Sequence, residues 1–243
     1  MHARCLAAVA ALLVTTLAQA QIPDKFENLQ VFPRDVPRPE LVQRMREFSF
    51  ALGVRCTHCH AEPTEGVANP FSSDAKPAKA QARSMLRMLT DINNTLLARL
   101  PSHAAPAVKV DCVTCHRGLP LPKTLQTTLF EIATTDGGAA AAAKYRELRK
   151  TNLSTGRYNF GEWEINELAR RLGQAGNMDA AIMMLEANAE FHPASADIDV
   201  LLGELHLKRG EKDVAIARFR LALTKAPDHE RAKLRLQEFE AKP

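Results

Sequence analysis

The sequence predicts an all-α protein, and three observations carry that prediction. Only 5% of the 243 residues are aromatic while alanine is abundant, which favours helices packed through small and aliphatic side chains over a β-sandwich. Two stretches, residues 40–54 and about 79–100, place apolar residues at helical spacing. The C-terminal part repeats itself at an offset of 34 residues. With 46% hydrophobic and 25% charged positions, the chain has room for one large or two small cores, and neither disorder nor a fibre fits it.

The first element is not expected to belong to the fold. Arg4 precedes a thirteen-residue apolar run from Leu6 to Ala18, too short to span a bilayer, and Ala18-Gln19-Ala20 reads as a small-x-small cleavage site. Residues 1–20 therefore read as a secretory signal, with the mature chain starting at Gln21 and Cys5 leaving with the signal. Four cysteines remain in an exported, oxidising setting: Cys56, Cys59, Cys112 and Cys115.

An even count invites disulfides, but the arrangement argues against them. Each pair forms C-x-x-C followed at once by histidine, Cys56-Thr57-His58-Cys59-His60 and Cys112-Val113-Thr114-Cys115-His116, the attachment signature of c-type haem. Two thiols one helical turn apart reach the two vinyl groups on one porphyrin edge, and the next residue offers an imidazole nitrogen as fifth ligand. A Cys₄ zinc site with the histidines as bystanders is the plainer rival.

The sixth ligand separates a carrier from an enzyme. In residues 40–54, Leu41, Met45, Phe48 and Leu52 form a helical stripe ending near Gly53, a helix stop. Met45 lies eleven residues before Cys56, and eleven helical residues cover about 16 Å, enough to run across a haem face before the chain turns back. In residues 79–100, Met85, Leu89, Ile92 and Leu96 share one face with Met88 and Leu86 beside it, and Pro101 interrupts the helix. Methionine at helical spacing is as readily core filler as ligand. His58 is trapped inside its own attachment loop, and His103 is a rival ligand on the loop before Cys112.

These residues carry a family resemblance. Residues 28–122 resemble the cytochrome c subunit of the photosynthetic reaction centre, in the half that holds that tetrahaem protein's first two haems. The matching stretches are the Met45 helix running into Leu52-Gly53-Val54 and the first C-x-x-C-H; residues 73–76; residues 82–93; and Cys112 to Gly118. The resemblance implies two covalent c-type haems, with His60 and Met45 as axial ligands of haem 1 and His116 and Met85 as those of haem 2, Met88 being the fallback. This chain has two C-x-x-C-H motifs where the family has four. It has Arg99 where the family's second helix offers a histidine to another haem, and no lipobox cysteine at the cleavage site. A smaller dihaem relative is the expectation.

Past Pro122 the composition changes. Residues 21–130 hold fourteen Lys and Arg against ten Asp and Glu, whereas residues 131–243 hold seventeen against eighteen. The basic excess sits with the haem motifs, whose propionates offset it, so no nucleic-acid partner is expected. Asp136-Gly137-Gly138 opens an alanine-rich helix, residues 139–150. Gly176-Asn177-Met178-Asp179-Ala180-Ala181 then recurs as Gly210-Glu211-Lys212-Asp213-Val214-Ala215, and Pro193 recurs as Pro227. That is the tetratricopeptide period. Residues 164–193 and 197–227 read as two such repeats, with residues 228–241 as a closing helix. Trp163 beside the first repeat reads as a packing anchor, and His192, His206 and His229 as surface or packing residues.

The domain expectation is a signal over 1–20, a dihaem cytochrome domain over 21–130 and a tetratricopeptide-like domain over 131–243. The functional expectation is an exported, periplasmic electron carrier passing single electrons between redox proteins, membrane-bound partners and peripheral membrane attachment included. Two alternatives stand beside it. In one, the repeats recruit a protein partner and the haem module is an accessory or sensor; in the other, an iron with an open site acts as a peroxidase or reductase.

Overall fold

The computed structural model describes residues 23, 25–62, 70–100 and 109–240. The signal over 1–20, Cys5 and His103 lie outside the described residues.

Every described element is helical. In order they are α1 (Arg38–Leu52), a 3₁₀ turn (Cys56–His58), α2 (Pro77–Asp91) continued by a π turn (Ile92–Leu96) and a 3₁₀ turn (Leu97–Arg99), and α3 (Cys112–His116). Then come α4 (Leu125–Thr135), α5 (Gly138–Asn152), α6 (Glu162–Gln174), α7 (Met178–Ala189), α8 (Ala196–Lys208), α9 (Lys212–Lys225) and α10 (Glu230–Glu240). Chain contacts divide the protein into two compact units. One holds residues up to Ser49 together with Arg55–Val110, and the other holds Phe50–Val54 together with Asp111–Pro243.

In the N-terminal half the sequence sets clear helix ends. Gly53, which groups with the second unit, follows α1 at φ +66°, a left-handed position that costs a β-carbon-bearing residue about 1–2 kcal/mol. Pro77 opens α2, where its missing N–H is no loss. The described part of the first unit buries little. Among its described residues only Leu41 and Pro70 are buried apolar residues, and α2 buries none of its side chains. On the apolar face of α2 Met85 is 41% and Met88 48% exposed, so neither is core filler. An amphipathic helix normally gains its stability by covering that stripe.

The second unit is packed throughout. Thr124 caps α4 by accepting from the Thr127 N–H at 3.1 Å, and Leu125, Leu129 and Ala133, one turn apart, are buried. This helix went unforeseen in the sequence. The main core runs from Leu125 to Leu205 and gathers α4 to α8 around Tyr145, Ile165, Leu168, Leu172, Met184 and Leu185; a second gathers Val200, Phe219, Ala222 and Ala232.

The helix starts keep the period seen in the sequence: α6, α8 and α10 begin 34 residues apart, as do α7 and α9. Gly176 and Gly210, at φ +84° and +82°, close the two equivalent turns. Close helix approach is set by small residues. A β-carbon on Gly203 would sit 2.6 Å from the Phe219 ring, and one on Gly138 would sit 2.5 Å from the Ala180 backbone.

A buried polar network fixes α5, α6 and α7 in register. Asn188, fully buried, accepts from Tyr145 Oη at 3.0 Å and donates to Glu162 O at 3.0 Å and Asn166 Oδ1 at 3.1 Å. Asn188→Ala removes three hydrogen bonds from a buried and part-buried network and is expected to destabilise this unit by roughly 2–4 kcal/mol. Urea unfolding followed by helix content reads the loss as a lower midpoint at unchanged slope. Trp163 is 60% exposed, so it is not the packing anchor expected from its place beside a repeat; Tyr145 has that role. His206 and His229 pair with Glu211 and Asp197 on the same unit.

Candidate functional site

The first attachment motif forms a tight turn. The N–H groups of Cys59 and His60 both donate to Cys56 O, at 3.2 and 3.0 Å, which brings the two thiols and the imidazole onto one short arc. The second motif forms α3, a single helical turn. Its start is fixed by Asp111, whose carboxylate accepts from the Cys112 N–H at 2.6 Å while Thr114 Oγ1 accepts from the Asp111 N–H at 3.0 Å. Arg117 at φ 49° ends that helix. All four cysteines are free thiols, Cys56 and Cys115 exposed and Cys59 and Cys112 half-buried. Burial raises the Cys59 and Cys112 thiols above the usual range, with neighbouring Lys76 acting against this at Cys59 and the Asp111 charge adding to it at Cys112.

The two histidines are held alike. His60 Nδ1 donates to Phe71 O at 3.2 Å, and His116 Nδ1 donates to Leu119 O at 2.8 Å. Because a carbonyl can only accept, Nδ1 is the protonated nitrogen in each of these bonds, which leaves Nε2 as the ring atom a metal would take. Burial lowers the pKa of His60, favouring the same neutral ring.

Phe71 is itself held from several sides. Its ring lies 5.2 Å from that of His60. Lys79 Nζ donates to Phe71 O at 2.9 Å and to Ser73 O at 2.8 Å, and pairs with Asp74 at 3.1 Å. Arg83 pairs with Asp74 at 2.9 Å and donates to Asn28 O, and Asn28 in turn donates to Ser72 O at 2.7 Å. The Arg83 guanidinium, with Asn28 and Lys79, holds the Asp74 carboxyl well below the usual carboxylate range.

Asn93 ties the end of α2 to the chain before the second motif. Its amide donates to Val110 O at 2.8 Å and accepts from the Val110 N–H at 2.9 Å, a strand-like pair made by one side chain. In the second unit the Gly118 N–H donates to Ala51 O at 2.8 Å, and a β-carbon on Gly53 would lie 2.3 Å from Gly118 O. Ala51 and Gly53, at the end of α1, thus meet Gly118, the second residue after His116, backbone to backbone. Sequence reasoning missed Phe71, Lys79, Asn93 and Leu119. Only Asp111 left a readable sign, an N-cap residue three before Thr114.

The residues fit c-type haem: four free thiols in two C-x-x-C arcs, two histidines with Nδ1 committed to a backbone carbonyl, and a helix whose Met85 and Met88 are exposed. Among the described residues no cluster of three His, Cys, Asp or Glu is arranged to hold a bare metal ion. Residues 61–162 match the model of the family described as the photosynthetic reaction centre cytochrome C subunit. That segment is similar to reaction-centre cytochromes.

The similarity begins at the residue after His60, contains the whole second motif, and reaches the start of α6. Cytochrome c-554 of Chloroflexus aurantiacus is 40% identical over 72 residues, covering 30% of this chain and 16% of that protein. The photosynthetic reaction center cytochrome c subunit of Rubrivivax gelatinosus is 38% identical over 84 residues, covering 30% of this chain and 21% of that protein. The chain therefore spans only 16% and 21% of the lengths of these two relatives. Among the described residues, no helix is long and apolar enough to cross a membrane.

Proposed function

We propose that this chain is an exported dihaem c-type cytochrome that passes single electrons between periplasmic or membrane-bound redox proteins. Cys56 and Cys59 anchor one haem and Cys112 and Cys115 the other. His60 and His116 supply one axial ligand each, with Met45 completing the first pair and Met85 the second. Iron held between imidazole and thioether exchanges one electron and has no open position for oxygen or peroxide. The observation that carries this reading is the matched pair of histidines, each with Nδ1 committed to a backbone carbonyl, beside free thiols at C-x-x-C spacing.

In this reading the polypeptide's work is positioning. The carbonyls of Phe71 and Leu119 orient the imidazoles, the Asp111 cap fixes the turn that presents Cys112 and Cys115, and Asn93 holds the approach to it. Residues 21–130 are assigned the redox role. The helical hairpins beyond are assigned to the tetratricopeptide type, which stabilises by stacking and offers a surface to a protein partner.

The test is spectroscopic. The ferric protein is expected to show low-spin haem alone, to take up one electron per haem on reductive titration, and to leave peroxide unconsumed. A high-spin band together with peroxide turnover would make it an enzyme instead.

A further inference from the structure

We propose that Lys79 tunes the midpoint potential of haem 1 upward through the carbonyl that orients its histidine; this rests on the dihaem reading above. A carbonyl oxygen has two lone pairs, and at Phe71 both are used: one accepts from His60 Nδ1, the other from the Lys79 ammonium at 2.9 Å. The lysine is held there firmly. Its side chain is 11% exposed and its three protons are spent on Phe71 O, Ser73 O and Asp74 Oδ1.

A hydrogen bond from Nδ1 to an acceptor makes an imidazole more basic toward a metal. A second, cationic donor on the same oxygen draws on the density the imidazole proton would use, so the ring gives less to ferric iron, and the nearby positive charge disfavours the oxidised state as well. Both effects raise the potential. The second motif is arranged differently. His116 Nδ1 reaches Leu119 O at the shorter distance of 2.8 Å, while the charged groups that bond the backbone around it act elsewhere, Asp111 on the Cys112 N–H and Arg157 on Arg117 O. The cationic donor on the orienting carbonyl itself is thus the feature of the first histidine. Asp74 is the counterweight at the first, since it neutralises Lys79 without touching Phe71 O.

The experiment is a spectroelectrochemical titration of the full-length holoprotein, with haem 1 recognised as the one whose midpoint responds to Met45→Ala. Lys79→Gln is expected to lower the haem 1 midpoint and to move the haem 2 midpoint less, with both low-spin spectra retained. Lys79→Arg, which restores the cation, is expected to return the haem 1 midpoint toward the parental value. Arg83→Gln removes a cation that pairs with Asp74 but donates to Asn28 O rather than Phe71 O, and is expected to produce the smaller shift at haem 1. Asp74→Asn, which takes away the counter-charge, is expected to raise the haem 1 midpoint, and it serves if Lys79→Gln does not fold.

A haem 1 midpoint that stays put or rises in Lys79→Gln, two midpoints that fall together, or no rise in Asp74→Asn overturns the proposal while leaving the dihaem reading intact. A parental protein with no haem on Cys56 and Cys59 overturns both.

Discussion

Met85→Ala is expected to abolish the methionine-to-iron charge-transfer band of one haem and lower its midpoint potential, while the other haem keeps its band. Met45→Ala is expected to do the same to the other haem. Loss of thioether ligation removes the axial ligand that raises the potential of a histidine-ligated haem, so the effect is large. The same substitutions should cost the polypeptide little. Met85 is 41% exposed on a helix with no buried side chain, and exposed positions away from special features change stability by only about 0.5 kcal/mol.

Met184 supplies the contrast. It is fully buried in the helical unit, and its truncation to alanine is expected to cost about 2–5 kcal/mol with both haem spectra unchanged. A methionine that matters to the spectrum and not to the polypeptide fold is a ligand; one with the opposite pattern is core. If Met85→Ala leaves both bands in place, Met88→Ala is the substitution that should remove one.

Gly53→Ala is the second large effect, and it acts on the fold. At φ +66° an alanine is strained by about 1–2 kcal/mol, and its β-carbon would lie 2.3 Å from Gly118 O, a backbone atom that cannot rotate away. The clash also breaks the Gly118 N–H bond to Ala51 O. The total is expected to reach roughly 3 kcal/mol or more, read as a lowered melting temperature. Gly137 separates the two contributions. It lies at φ +92° with open space where a β-carbon would go, so Gly137→Ala should show the conformational cost alone. Equal losses at both positions would mean that the meeting of Gly53 and Gly118 adds nothing.

The helices were legible wherever side-chain periodicity and a stop signal agreed. Gly53 ends α1, the stripe from Met85 to Leu96 lies on the continuous helical run through Arg99, and the 34-residue offset reappears in the helix starts. Helix α4 was hidden because its buried face is just Leu125, Leu129 and Ala133, too short a pattern to separate from the proline-containing stretch before it. Phe50–Val54 groups with the second unit, where Gly118 meets Ala51 and Gly53 backbone to backbone, and composition carries no trace of such contacts.

At the site, covalent chemistry was readable because it needs fixed residue types at fixed spacing. The carbonyls of Phe71 and Leu119 were not, since any residue carries one and only the folded chain selects which. Lys79 looked like an ordinary solvated lysine on a helix; its role appears once the loop over residues 70–76 is seen folded onto it. Trp163 misled because rarity was read as burial, whereas large amphipathic rings are often left partly in water.

The most direct measurement is the intact mass of the mature protein after acid–acetone extraction. Covalent attachment at Cys56, Cys59, Cys112 and Cys115 predicts a chain heavier than its sequence by two haem groups, with no pigment in the solvent. A colourless chain at its bare mass, with the pigment extracted, would contradict the account at its root.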